Sequence, residues 1–185
     1  MVKSSVVQEI LDYNERFVAE GGYEPFETDK FPTKKLAVLA CMDVRLIELL
    51  PAALGLKNGD AHFVKVAGGG VSDPHDSAVR SLLVSVCELG TEDIMVIAHS
   101  ECGAQHMDSD GMFAGLQRLG VAQEVIDECI NGDFDYASWF AGFGELEGYV
   151  QKSVAILRDH PLMPAHVRIS GYFIDSHTGA LTKVA

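Results

Sequence analysis

Leu36-Ala37-Val38-Leu39-Ala40-Cys41-Met42-Asp43-Val44-Arg45 runs from unbroken apolar residues into a thiol, an acid and a base. The segment Leu36–Cys41 has the length and composition of a strand covered on both faces. The pattern returns at Ile94-Met95-Val96-Ile97-Ala98, which leads into His99-Ser100-Glu101-Cys102-Gly103. Strands apolar on both faces belong to parallel sheets, and such sheets present the C-terminal ends of their strands to ligands. Cys41, His99 and Cys102 are therefore expected to meet at one sheet edge. Asp43 and Arg45 alternate with Cys41 and are expected to point toward the same edge.

The elements around these strands fit that scheme. Val6, Val7, Ile10, Leu11, Phe17 and Val18 recur at helical spacing, which predicts an amphipathic helix over residues 4–20, ended by Gly21-Gly22. Leu46–Leu54 reads as a helix limited or kinked by Pro51. His62–Val66 reads as a second strand. Asp73-Pro74 is expected to start a helix, with Asp as cap and Pro in the first turn. Ala78, Leu82, Leu83, Val86 and Leu89 give that helix its buried side, and Gly90 stops it. Cys87 and Cys129 read as core cysteines. Residues 112–130 look mainly helical, broken by Gly115 and Gly120, and Glu145–Asp159 is helical again. Val167–Ile174 and Leu181–Val184 predict a terminal hairpin across Ser176–Gly179. Alternating strands and helices define an α/β class: one domain over residues 1–185, a central mostly parallel sheet flanked by helices, residues 1–30 forming an N-terminal helical arm.

Composition narrows the function. The 185 residues are 48% apolar, enough for a core, yet no run is long enough to span a membrane. Met1–Phe17 lacks a signal peptide's apolar centre, which points to a cytoplasmic protein. Acidic residues outnumber basic ones 27 to 14, for a net charge of −13, so a nucleic-acid partner is not expected. Four cysteines without a signal peptide suggest metal ligation or burial before disulfides. Two thiolates and a neutral imidazole suit Zn²⁺ and disfavour Mg²⁺ or Ca²⁺. Three protein ligands leave a metal position open for chemistry, whereas structural sites are closed. Arg45 can grip the Asp43 carboxylate with its planar fork.

Cys41-x-Asp43-x-Arg45 followed by His99-x-x-Cys102-Gly103 resembles the two motifs of the β-class carbonic anhydrases. Ala67-Gly68-Gly69 sits where that family has its glycine loop. The segments Asp159–Pro164, Val167–Tyr172 and Thr178–Leu181 resemble its closing part, so the similarity spans residues 30–185. The resemblance implies reversible hydration of CO₂ to bicarbonate on a zinc held by Cys41, His99 and Cys102. Zinc lowers the pKa of bound water to about 7, so hydroxide is available as the nucleophile at neutral pH. Asp43 would orient that hydroxide or, rotated inward, bind zinc as a fourth ligand, and Arg45 would hold Asp43 away. Val66, Ala67, Gly68 and Gly69 would form a substrate loop approaching the zinc, with backbone N–H groups that suit an anion. A homodimer or dimer-based assembly is implied, the N-terminal helix packing on a partner or on its own domain.

The sequence also departs from that family. Lys65-Val66-Ala67-Gly68 stands where relatives read Arg-Asn-Ala-Gly, which removes a guanidinium fork and a side-chain amide. A more apolar pocket is compatible with CS₂ or COS hydrolysis on the same site. A third reading is a non-catalytic, bicarbonate-binding domain with Asp43 permanently on zinc. His62, His75, His106, His160, His166 and His177 are further titratable groups, His106 being nearest to Cys102 and read as a solvated histidine.

Overall fold

The computed structural model describes residues 5–185; Met1–Ser4, including the expected start of the first helix, lie outside them. The described chain forms two compact units that divide after Lys30.

The first unit holds helix α1, Val6–Ala19. Ser5 caps it by accepting a hydrogen bond from the Gln8 N–H at 3.2 Å. The apolar stripe expected from the spacing is present, and Val6, Val7, Ile10, Leu11 and Val18 are all exposed. Tyr13, Phe17 and Phe26 line up as successive ring contacts, Phe26 coming from a short 3-10 turn at Glu24–Phe26.

The second unit is the α/β fold. Strands β1 (Leu36–Cys41), β2 (Ala61–Val66), β3 (Asp93–His99), β4 (Arg168–Ile174) and β5 (Leu181–Lys183) form one five-stranded sheet in the order β2-β1-β3-β4-β5. The first four are mutually parallel and β5 returns antiparallel, closing the expected hairpin. β1 lies inside the sheet, between β2 and β3, and its residues are apolar in both directions. Ala37 and Leu39 pack on one face with Val79, Leu82, Val150 and Val154 from helices α3 (Ser77–Leu89) and α7 (Leu146–Arg158). Val38 and Ala40 pack on the other with Leu46 and Leu50 of α2 (Leu46–Ala53). Each fully buried leucine stabilises the fold by about 1.5–3 kcal/mol relative to exposure.

Several expected boundaries move. α3 begins at Ser77, not at Pro74, because Asp76 supplies the cap by accepting from the Val79 N–H at 2.8 Å. Asp73 is used one turn earlier, accepting from the His75 N–H at 2.7 Å. Gly90 ends α3 in the left-handed region, at φ 74°. Cys87 corrects the reading of a core cysteine: it is exposed. The buried side of α3 runs through Ala78, Val79, Leu82, Ser85 and Val86, and Cys87 lies off that stripe. Cys129 is half-buried.

The stretch after Cys102 forms α4 (Ser109–Arg118), α5 (Gln123–Asn131) and a single turn, α6 (Tyr136–Trp139). Gly120 separates α4 from α5, while Gly115 stays within α4. Phe113 of α4, Tyr136 and Trp139 of α6 and the adjoining Phe134 and Phe140 form a cluster of mostly edge-to-face rings that joins α4 to α6. No helix among the described residues is long and apolar enough to cross a membrane.

Candidate metal centre

Cys41 is the last residue of β1 and His99 the last of β3. Because β1 and β3 are adjacent and parallel, both side chains arrive at the same edge. Cys102 follows His99 by three residues and turns back over that edge. The Sγ atoms of Cys41 and Cys102 and a ring nitrogen of His99 all lie within 4.8 Å of one another, and all three residues are buried. The two sulfurs are 3.8 Å apart. Two thiolates on one tetrahedral zinc, with Zn–S bonds of about 2.3 Å, would stand about 3.8 Å apart.

His99 supplies a second test of fit. Its Nδ1–H donates to the Ser100 carbonyl at 2.8 Å, which fixes the tautomer and leaves a lone pair on Nε2. That Nε2 is fully buried and has no hydrogen-bond partner. An orphaned acceptor there is costly unless something binds it. A cation facing two sulfurs and this nitrogen would satisfy it, so the donor set fits a soft-to-borderline divalent metal.

The electrostatics agree. Burial pushes the Cys41 thiol up, but the His99 ring and the Asp43 and Gly68 backbones outweigh it and leave the thiol lowered to about 7. His99 is raised: burial opposes its charge, and the Cys41 sulfur more than compensates. Cys102 is pushed up to about 11, first by burial and then by the neighbouring Cys41. Two sulfurs this close cannot both ionise readily without a positive charge between them.

Asp43 and Arg45 reach the same edge, although not by strand alternation. β1 stops at Cys41, and a tight turn carries the chain into α2, with Arg45 at its N-terminus. Arg45 grips Asp43 bidentately, Nε to Oδ1 at 3.0 Å and Nη2 to Oδ2 at 2.9 Å, and the Arg45 backbone N–H also donates to Oδ1. These bonds hold the Asp43 carboxyl down at about 2. Its Oδ2 stands 4.0 Å from the free His99 Nε2. Asp43 is thus beside the metal position and held by its arginine.

The glycine loop is a 3-10 turn, Ala67–Gly69, directly after β2. Gly69 has φ 72°, and a Cβ there would lie 2.4 Å from the Cys41 backbone nitrogen. Only glycine permits this approach of the loop to the end of β1. The loop does not run straight into a helix: residues 70–76 intervene, and the Asp76 carboxylate occupies the N-terminus of α3. Val66 is half-buried and Ala67 exposed. The half-buried Lys65 has its Nζ 3.4 Å from the Cys41 carbonyl, and burial lowers its pKa.

A cleft of about 830 Å³ opens beside Val66, Gly68 and Ala104, walled by Met107, Trp139 and Phe140. Phe143 and Tyr149 stack at 4.2 Å against the loop, and the Tyr149 hydroxyl lies 3.2 Å from where a Gly68 Cβ would be. Burial pushes Tyr149 up to about 12, so it is a neutral phenol throughout the neutral range. Neither ring is marked by any sequence motif; their placement depends on how residues 140–149 fold back. Glu101 is also missed as more than a spacer in the second motif. Of the histidines, His106 is exposed, His62 is bonded to Ser85 at 2.6 Å, and His177 meets Glu101.

The sequence pattern of the carbonic anhydrase family matches residues 36–181. YvdA of Bacillus subtilis (strain 168), a carbonic anhydrase by assigned name, is 42% identical over 175 residues, 95% of this chain and 89% of that one. A carbon disulfide hydrolase of Acidithiobacillus thiooxidans is 32% identical over 158 residues, 80% of this chain and 76% of that one. The crystal structure of β-carbonic anhydrase isoform I from Trichomonas vaginalis superposes with a TM-score of 0.88 at 31% identity, covering 98% of both chains. With the strand order, the converging cysteines and histidine and these similarities in agreement, the chain belongs to the β-class carbonic anhydrase family and is an enzyme of that family.

Proposed function

We propose that this enzyme catalyses the reversible hydration of CO₂ to bicarbonate with zinc held by Cys41, His99 and Cys102. The observation that carries the reading is the buried, unpartnered His99 Nε2 facing two sulfurs, with Asp43 clamped 4.0 Å away. When bound, zinc would supply a Lewis acid that makes hydroxide available near neutral pH. The residues of the chain do the rest. Ser100 fixes the His99 tautomer, and the Gly68 and Asp43 backbones favour the Cys41 thiolate. Arg45 keeps Asp43 ionised and turned from the metal position, where its carboxylate can accept a hydrogen bond from the attacking oxygen and orient it. Val66, Gly68 and the neutral Tyr149 make an uncharged stretch of the cleft wall beside the site, which suits an uncharged gas, while Asp76, Glu145 and Lys152 line other parts of the same cleft.

Val66 favours a second reading. A valine at this position leaves the pocket wall without a side-chain amide, and an apolar wall suits CS₂ or COS. Stopped-flow assays with CO₂, CS₂ and COS on protein of measured zinc content separate the two. CO₂ turnover supports the first reading; H₂S from CS₂ or COS without CO₂ turnover supports the second. We further propose that residues 1–30 form an arm that joins a homodimer or a dimer-based assembly.

A further inference from the structure

We propose that Glu101 is the positioning residue of the Asp43–Arg45 pair, holding the guanidinium from the side opposite Asp43. The inference rests on the proposed role of that pair. Arg45 Nη1 donates to Glu101 Oε2 at 3.1 Å, and Nη2, already bonded to Asp43, donates to the Glu101 carbonyl at 3.1 Å. Arg45 therefore spends one edge of its fork on Asp43 and the other on Glu101. A guanidinium held by one carboxylate can still swing with it as a unit. Held from two sides, it fixes the Asp43 carboxylate relative to the loop that carries His99 and Cys102.

Glu101 is itself anchored. Its φ is 55°, in the left-handed region that favours glycine, asparagine or aspartate and is uncommon for a glutamate. The loop is stitched to the turn between β4 and β5 at two consecutive positions. Ser100 Oγ accepts from the Ser176 N–H at 2.9 Å and meets the Ser176 hydroxyl at 2.9 Å. His177 Nε2 stands 3.1 Å from Glu101 Oε2, and the His177 backbone N–H is bonded to Asp175 Oδ1 at 3.0 Å. The hairpin turn thus sets where the Glu101 carboxylate stands, Glu101 sets Arg45, and Arg45 sets Asp43. Without the Glu101 carboxylate, Asp43 has only 4.0 Å to cover to reach the His99 Nε2 side of the metal position.

The test uses the full chain and reads the arginine directly. Side-chain ¹⁵N NMR of metal-free protein should show slow rotation of the Arg45 Nη groups. Asparagine tolerates a positive φ and is too short to reach Arg45, so E101N removes the carboxylate contact to Nη1 without adding strain and leaves the backbone carbonyl contact to Nη2 in place. The Arg45 Nη1 signal should then average, while E101Q, which keeps an acceptor at the same reach, should restore part of the restraint. In zinc-loaded protein, E101N should keep its zinc and lose kcat by about two- to fivefold, as expected for one charge-assisted contact to an exposed carboxylate. That loss should vanish in an R45A background. Free rotation of Arg45 in the parent protein, unchanged signals in E101N, or additive effects of E101N and R45A would each overturn the proposal. If zinc-loaded parent protein has no CO₂ turnover, the proposed function fails, and the Arg45 signals still decide the role of Glu101.

Discussion

Asp43 carries a consequence for pH that the motif alone does not reveal. Its carboxyl is held at about 2 by Arg45, below the ordinary carboxylate value near 4, so it is ionised across the whole neutral range. The stabilisation from the pair is present above the ordinary value and is lost only as pH falls through about 2. A rise of turnover between pH 6 and 9 therefore cannot be the titration of Asp43. Asp43→Asn should lower CO₂ hydration by about tenfold or more, since the charged acceptor and one of the two oxygens gripped by Arg45 are lost, yet keep the midpoint of the pH profile. Arg45→Ala should lower activity with zinc content intact, because the freed carboxylate can take the open position. Rates from pH 6 to 9 beside zinc analysis check both variants.

The ligand residues make a second prediction at this scale. Cys41→Ala, His99→Ala and Cys102→Ala should each lose most of the bound zinc in folded protein. Without metal, Cys41 titrates at about 7 and Cys102 at about 11, so below pH 7 both thiols must lose protons for zinc to enter. Affinity should then fall by more than about tenfold per pH unit, and less steeply above pH 7. Chelator competition between pH 5.5 and 8.5 measures this. A pH-independent affinity would remove the two thiols from the site.

At the scale of elements, the glycine loop is the most constrained piece. Gly69 combines φ 72° with a would-be Cβ 2.4 Å from the Cys41 nitrogen. Gly69→Ala must strain the backbone and push the loop off the end of β1. It should destabilise by about 2–5 kcal/mol and weaken zinc binding together. Urea unfolding with zinc titration tests the linkage. Gly55, also at positive φ but with nothing near its would-be Cβ, should lose only the strain component on change to Ala. The helix starts teach the same lesson about neighbours. Asp73-Pro74 and Asp76 are both plausible caps by residue type, and the side chain bonded to the Val79 N–H decides between them.

For the whole molecule, the exposed apolar stripe of α1 motivates an assembly prediction. Val6, Val7, Ile10 and Leu11 are more than half exposed, a costly arrangement for a helix facing water. Sedimentation should give at least twice the chain mass of 20.0 kDa. Ile10→Asp combined with Leu11→Asp should shift the protein toward monomer. A parent protein that sediments as a monomer at assay concentration would refute the arm's proposed role.

The sequence by itself determined the strand cores, the parallel sheet and the meeting of Cys41, His99 and Cys102. Apolar runs of strand length can be buried in few ways, and adjacent parallel strands bring their ends to one edge. Boundaries such as the start of α3, and the exposure of Cys87, were decided by tertiary structure, because competing caps and faces differ only in their neighbours. The same holds for the clamp around the site. Glu101 reaches Arg45 across 56 residues, and His177 reaches Glu101 across 76. No local pattern encodes such contacts; they exist only once the β4–β5 turn is folded beside the loop after β3.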